Sequence, residues 1–246
     1  MIVIKPYIFK KFPEITFGFS TMIGNNASDK RKFNLSFNVG DDAETVKRNR
    51  TLFFGHLGLS VDDVAYQKQI HGDTIKFVSA GGHIGESDAM ITSVSGIGLA
   101  ISTADCCAIF IYDQKNKIIS AVHSGWRGTS KRILEKTIIK LKEEFKSNPE
   151  DLFCYLGPSI SQQNYEVGED VAEQFDKKYL RSAGAKYLLD VSECNYNILI
   201  DNGIKQSNIQ KSVLCSYGYN SLLHSYRRDK ENSGRALGII SVIDTQ

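Results

Sequence analysis

The sequence predicts an α/β layered protein built on a mixed sheet. Three observations carry that prediction. Runs rich in β-branched and aromatic residues crowd the centre of the chain, segments of helical periodicity flank them, and neither a Pro/Gly/Ser linker nor an internal repeat divides the 246 residues. Several strands follow one another without an intervening helix, which argues against a plain doubly wound sheet.

Taken in order, residues 1–9 and 15–19 read as strands. Residues 44–57 read as a helix, with Asp41 and Asp42 near its start, where negative charge suits the helix dipole. The β-rich centre comprises residues 64–69, 74–78, 89–92, 98–102, 108–112 and 118–123. Residues 129–145 form the clearest helix, because Leu134, Ile138, Leu141 and Phe145 recur at steps of four and three with Lys and Glu between them. A strand at 152–156, helices at 168–179 and 192–202, and a strand at 236–243 complete the chain. The polar stretch 24–32 reads as a mobile loop, and a second polar break falls near Arg181 to Lys186.

Composition bounds the function. Hydrophobic content of 41% and charged content of 24% are those of an ordinary soluble globular protein. A net charge of +2 is too small to point to nucleic acid or an anionic membrane. The N-terminal residues lack the apolar core and small-residue site of a secretory signal, and no apolar run reaches the length of a membrane span. The five scattered cysteines, Cys106, Cys107, Cys154, Cys194 and Cys215, therefore read as reduced thiols of a cytoplasmic protein.

Three residues stand out as metal ligands: His71 in QKQIHGDT, Cys106 in STADCCAIF and His123 in AVHSGWRG. Two imidazoles and a thiolate suit zinc, and three protein ligands leave a fourth position open to water or substrate. Each has a plainer account as a loop or core residue, and their spacings match no compact zinc signature. Cys107 is adjacent to Cys106 on a strand-like run, so the two side chains point to opposite faces and Cys107 reads as core. GWRG, from Gly125 to Gly128, stands at a strand-to-helix turn where backbone N–H groups could meet an anion, with Arg127 adding charge. A tight turn anchored by Trp126 explains it equally well. Tyr226-Arg227-Arg228-Asp229 reads as a solvated helix end.

Many ordered motifs share this chain: GFST (18–21), NLSFNVGDD (34–42), VKRNR (46–50), QKQIHG (67–72), SDAMIT (87–92), TADC (103–106), HSGWRG (123–128), LGPSIS (156–161), YEVGEDV (165–171) and YRRD (226–229) with GR at Gly234 and Arg235. With them the chain resembles the multicopper polyphenol oxidoreductase (laccase-domain) family, whose members are also known as purine nucleoside phosphorylases of the laccase-domain type. The resemblance implies one compact α/β/α domain over residues 1–246, zinc ligands at His71, Cys106 and His123, and phosphorolysis of adenosine, inosine, guanosine or methylthioadenosine. It also implies adenosine deamination, and its older label implies copper-dependent phenol oxidation. The chain departs from the family at Met22, where Arg usually follows GFST, at Gln162-Gln163-Asn164, where a Cys is common, and at His224, where an aromatic is common.

Chemistry separates the two labels. A multicopper oxidase needs a further copper cluster held by many histidines, and this chain has five. Zinc with nucleoside chemistry is therefore the first reading, and copper with phenol oxidation the alternative. In the first reading Arg50, Arg127 and the N–H groups of Gly125 to Gly128 hold phosphate beside a cation-like sugar. Asp105, next to Cys106, either shuttles a proton or orients a ligand, or it is a structural carboxylate at a turn. Tyr165 and Glu166 either line the pocket or begin a helix. A structural zinc protein would need a fourth ligand from Cys107 or Asp105, and a partner-binding module would hold metal without turnover.

Overall fold

The computed structural model describes residues 1–24 and 31–243, so the loop expected at 24–32 lies mostly outside the described residues. The chain opens with β1 (Val3–Ile4) and β2 (Ile15–Ser20). The strand expected over 1–9 shrinks to two residues, because Pro6 has no N–H for a ladder and leads into a 3-10 turn at Tyr7–Lys11. Helix α1 (Ala43–His56) is capped by Asp42, whose carboxylate accepts from the Thr45 N–H at 2.8 Å. There follow β3 (Val64–Lys68), β4 (Ile75–Phe77), β5 (Gly82–Glu86), β6 (Ala89–Thr92), β7 (Gly98–Thr103), β8 (Cys107–Asp113) and β9 (Ile118–Ser124).

The helix expected over 129–145 is two helices, α2 (Trp126–Ser130) and α3 (Ile133–Phe145). Arg132 lies between them at φ 59°, a left-handed conformation that ends one helix before the next begins. Then come β10 (Leu152–Leu156), β11 (Glu166–Val167), α4 (Glu169–Ala172), β12 (Leu180–Ala183), β13 (Lys186–Leu189), α5 (Val191–Asp201), β14 (Ile209–Lys211), α6 (Tyr226–Asp229) and β15 (Ala236–Val242). The helix expected over 168–179 is only α4 plus a 3-10 turn at Lys177–Tyr179. The polar break near Arg181 is a hairpin, β12 paired with β13, turning at Gly184 with φ 66°.

Among the described residues the strands form two large mixed sheets and one small one. The first runs β1-β2-β15-β7-β3-β5, the second β14-β10-β8-β9-β6-β4, and β11-β13-β12 stands apart. The mixed α/β class follows the expectation, with two stacked sheets between the helices instead of one. Strand alternation makes the stack. On β8 the even residues Ala108, Phe110 and Tyr112 share a core with Phe17, Phe19, Leu99 and Ile240 of the first sheet. The odd residues Cys107, Ile109 and Ile111 share another with Leu134, Ile138 and Leu141 of α3. Helix α1 covers the far face of the first sheet, Phe53 and Phe54 packing with Ala100 and Ile239. In the central layer Phe17 meets Phe110 and Tyr155 edge-on at 4.9 and 5.4 Å. Each such buried ring contributes roughly 1.5–3 kcal/mol of transfer free energy.

Three connections cross from the first sheet to the second: β3 to β4, β5 to β6 and β7 to β8. They leave the parallel neighbours β7, β3 and β5 from the same end and converge on the end of β9. The residues singled out as ligands lie there.

Candidate metal centre

His71 belongs to the first crossing, Cys106 to the third, and His123 to the end of strand β9. Their ligand atoms all lie within 4.8 Å of one another. The two imidazole rings are 4.8 Å apart, edge to face. His123 is buried, Cys106 half-buried and His71 exposed, so the cluster is reached from the His71 side. A tetrahedral zinc ion with bonds of about 2.0–2.3 Å keeps its ligand atoms roughly 3.3–3.6 Å apart, so a closure of at most about 1.2–1.5 Å suffices. Two nitrogens and a thiolate are the donors such an ion takes, and the residues fit it.

The middle crossing supplies what holds the other two: Asp88 of the SDAMIT motif, in sequence only a single acid before a strand. Asp88 is fully buried. Its Oδ2 accepts from the N–H groups of Ile70 at 3.2 Å and Gly72 at 2.7 Å. Its Oδ1 accepts from the N–H of His71 at 3.0 Å and stands 2.8 Å from Nδ1 of His123. Three donated N–H groups bend the chain so that His71 sits at φ 57°, an uncommon conformation for a side-chain-bearing residue. A carboxylate only accepts, so Nδ1 of His123 carries the proton and Nε2 is left for a ligand. Burial alone would raise the Asp88 pKa, but the hydrogen bonds from His123 and Gly72 outweigh it and lower it. For Cys106 burial also works against ionisation, and the neighbouring His123 and His71 reverse it, lowering the thiol pKa. His123 is raised in turn, burial being outweighed by Cys106 and Asp88. Cys107 points the other way, where burial pushes its thiol up to about 12.

Close approach explains a glycine. A Cβ on Gly125 would stand 2.8 Å from Sγ of Cys106 and 3.4 Å from Cδ2 of His71. Only glycine lets the start of α2 lie against the thiolate. At Gly128 a Cβ would stand 3.3 Å from the Gly72 carbonyl oxygen.

The triad opens into a cavity of about 920 Å³ whose wall carries three arginines, Arg50, Arg227 and Arg235. Arg50 is buried, donates from Nε to the Leu35 carbonyl at 2.8 Å, and lies between Phe37 and Tyr66, 4.5 and 4.6 Å from their centroids. Arg227 lies over Tyr165 at 5.1 Å and donates to the Glu166 carbonyl at 2.8 Å. Arg235 lies over Tyr226 at 5.3 Å. Three guanidiniums on aromatic faces make a rigid, electropositive wall suited to an anion beside a flat ring.

The named residues divide accordingly. His71, Cys106, His123, Asp105, Arg50 and Tyr165 share the cavity. Arg127 stacks on Trp126 at 4.1 Å and is absent from the lining, as are Gly125 and Gly128. Arg227 and Arg235 stand on the wall beside Arg50 instead. The signal for Arg227 was YRRD, read as a solvated helix end, but only its packing reveals a wall. Arg228 is not solvated there, since it donates to the Ser216, Tyr217 and Leu223 carbonyls and to Asp229. Asp105, at φ 104°, accepts from the Ser216 hydroxyl at 2.6 Å and from the Arg227 N–H at 2.7 Å. It ties the Cys106 crossing to the arginine wall.

Residues 16–243 match the family model described as multi-copper polyphenol oxidoreductase laccase. A purine nucleoside phosphorylase of Clostridium acetobutylicum is 33% identical, covering 95% of each chain. One of Bacteroides thetaiotaomicron is 33% identical over 89% of this chain and 86% of its own. Among solved structures, the hypothetical protein YfiH of Bacillus licheniformis is similar with a TM-score of 0.90 and 25% identity, covering 95% of this chain and 94% of its own. YlmD of Geobacillus stearothermophilus has a TM-score of 0.89 and 25% identity, covering 95% and 93%.

Proposed function

The chain belongs to the multi-copper polyphenol oxidoreductase laccase family, and from that footing we propose that it is a zinc-dependent purine nucleoside phosphorylase. It takes adenosine, inosine, guanosine or methylthioadenosine with inorganic phosphate and also deaminates adenosine. The observation that carries this reading is a two-histidine, one-cysteine triad opening into a cavity walled by arginines on aromatic rings.

Zinc is the metal the donor set favours, with three protein ligands and a fourth position toward the cavity. A bound zinc ion supplies Lewis acidity at that position. Multicopper oxidation needs a second histidine cluster, and among the described residues His71, Cys106 and His123 are the one group of that kind. His83 lines the same cavity but packs on Tyr66 at 5.5 Å, and His224 is buried and absent from that lining.

The rest follows from the chain's own side chains. Arg50, Arg227 and Arg235 hold the phosphate dianion, whose oxygen bonds to C1′ of the sugar as the bond from C1′ to the purine nitrogen breaks and its electron pair leaves with the base. Their planar donors match phosphate bidentately, and their stacking on Phe37, Tyr66, Tyr165 and Tyr226 fixes them before substrate arrives. Asp88 keeps the His123 proton on Nδ1. Asp105 accepts the Arg227 backbone N–H and so positions that residue on the wall.

The test is to purify the protein without added metal, measure zinc and copper, and assay adenosine, inosine and a phenol with and without phosphate. Zinc with phosphate-dependent release of free base supports the proposal. Copper-dependent phenol oxidation without base release contradicts it.

A further inference from the structure

We propose that Asp88 is the positioning residue that assembles the metal centre, setting both histidines with one carboxylate. The inference rests on the metal reading above and adds a residue outside the ligand set. Three facts lead to it. The antiparallel register of β6 on β9 pairs Ala89 with Val122, which places the preceding residue, Asp88, opposite His123. The His123 N–H accordingly donates to the Asp88 carbonyl at 2.7 Å, while Nδ1 of the same residue meets the Asp88 carboxylate at 2.8 Å. The ring is therefore held at both its backbone and its Nδ1 edge.

The same carboxylate collects the N–H groups of Ile70, His71 and Gly72. That nest makes the left-handed turn on which His71 sits. Ser87, one residue earlier, reaches back to the first sheet, its hydroxyl donating to Gln67 at 2.6 Å and its N–H to the Lys68 carbonyl at 3.3 Å. The Ser87-Asp88 pair thus fastens the strand before His71 and the strand carrying His123 into one frame. Cys106 receives no such support from Asp88, so the two histidines are positioned together and the cysteine independently.

Asparagine at this position keeps the volume but presents an NH₂ group to donors that need an acceptor. Outer partners of metal ligands are worth roughly 10–100-fold in metal affinity. We expect Asp88→Asn to weaken zinc binding by that factor in a chelator-competition titration. We also expect cobalt substitution to retain the thiolate charge-transfer band of Cys106 while the d–d bands shift toward lower coordination by nitrogen. A purely structural role would lower the denaturation midpoint in metal-free buffer and leave zinc affinity and cobalt spectrum unchanged, which would overturn the inference. The wild-type protein gives a second readout should the variant not fold. Nitrogen-15 NMR of the zinc-loaded chain should show His123 protonated at Nδ1 and ligated through Nε2, and the opposite tautomer overturns the inference. A wild-type chain that binds no zinc overturns the metal reading and this inference together, whereas zinc bound equally by wild type and Asp88→Asn overturns this inference alone.

Discussion

Replacing Gly125 by alanine adds one methyl group 2.8 Å from Sγ of Cys106 and 3.4 Å from Cδ2 of His71. Non-bonded heavy atoms rest about 3.5–4.0 Å apart, so Sγ must retreat by about 0.7 Å or more. Metal sites tolerate ligand displacements of about 0.2 Å. The backbone at Gly125, φ −74° and ψ 178°, is one any residue adopts, so the substitution adds no dihedral strain. Its cost to the fold is the crowding itself and a poorer helix N-cap, about 1–3 kcal/mol. It also disturbs the proposed metal site, where the displaced atom is a ligand. We expect zinc affinity to fall at least about 10-fold, a displaced ligand costing no less than a lost outer partner, while the metal-free protein remains folded. Chelator-competition titration reads the first quantity and urea unfolding in metal-free buffer the second. A folded Gly125→Ala protein with wild-type zinc affinity would show that Cys106 is not a ligand.

Gly55 provides the contrasting case, since nothing lies within 4 Å of a Cβ there and it sits inside α1. Gly55→Ala should raise the urea midpoint by about 0.4–1 kcal/mol in stability, with metal binding unchanged. His224 is buried, and desolvation lowers its pKa to about 4. An unfolded histidine titrates near 6.5, so the unfolded chain binds more protons between those values. The stability this group supports is complete above about pH 6.5 and is lost as pH falls toward 4, by about 3 kcal/mol in all. His224→Leu should flatten that part of the pH–stability curve, and an unchanged slope in urea titrations between pH 7 and 4 would contradict it. Arg50→Lys removes a planar donor held between two rings, and should raise the KM for phosphate by about 10-fold or more with a smaller change for nucleoside. Arg127→Lys, outside the cavity lining, should leave both within about twofold by the usual insensitivity of sites away from the chemistry.

The parts of the fold that rest on periodicity were legible. Helix α1, strands β8 to β10 and helix α5 lie within a residue or two of their expected bounds, because burial on both strand faces produces continuous apolar runs and α1 carries its Asp42 cap. Short elements were not. β5 holds two glycines at positive φ, Gly82 and Gly85, and has no apolar alternation to betray it. The β12–β13 hairpin is polar on its exposed side, so it read as a break. Arg132 splits one periodic stretch into two helices without a proline or glycine to announce it. At the site, ligand-type residues could be picked out individually, but Asp88 could not. Its importance lies in four donors brought from two other segments, which no local pattern encodes. Arg227 and Arg235 fall in the motifs YRRD and GR, but their place on the cavity wall depends on how the C-terminal turns pack, which no local pattern encodes.

The central claim is that the triad and the arginine wall together carry out phosphorolysis. The most direct measurement is product analysis of inosine incubated with the zinc-loaded chain, with and without phosphate, beside Cys106→Ala. The account predicts hypoxanthine and ribose 1-phosphate in equal amounts, only with phosphate, and loss of both in the variant together with its zinc. Base release that is indifferent to phosphate, or that survives in a zinc-free Cys106→Ala protein, would contradict it.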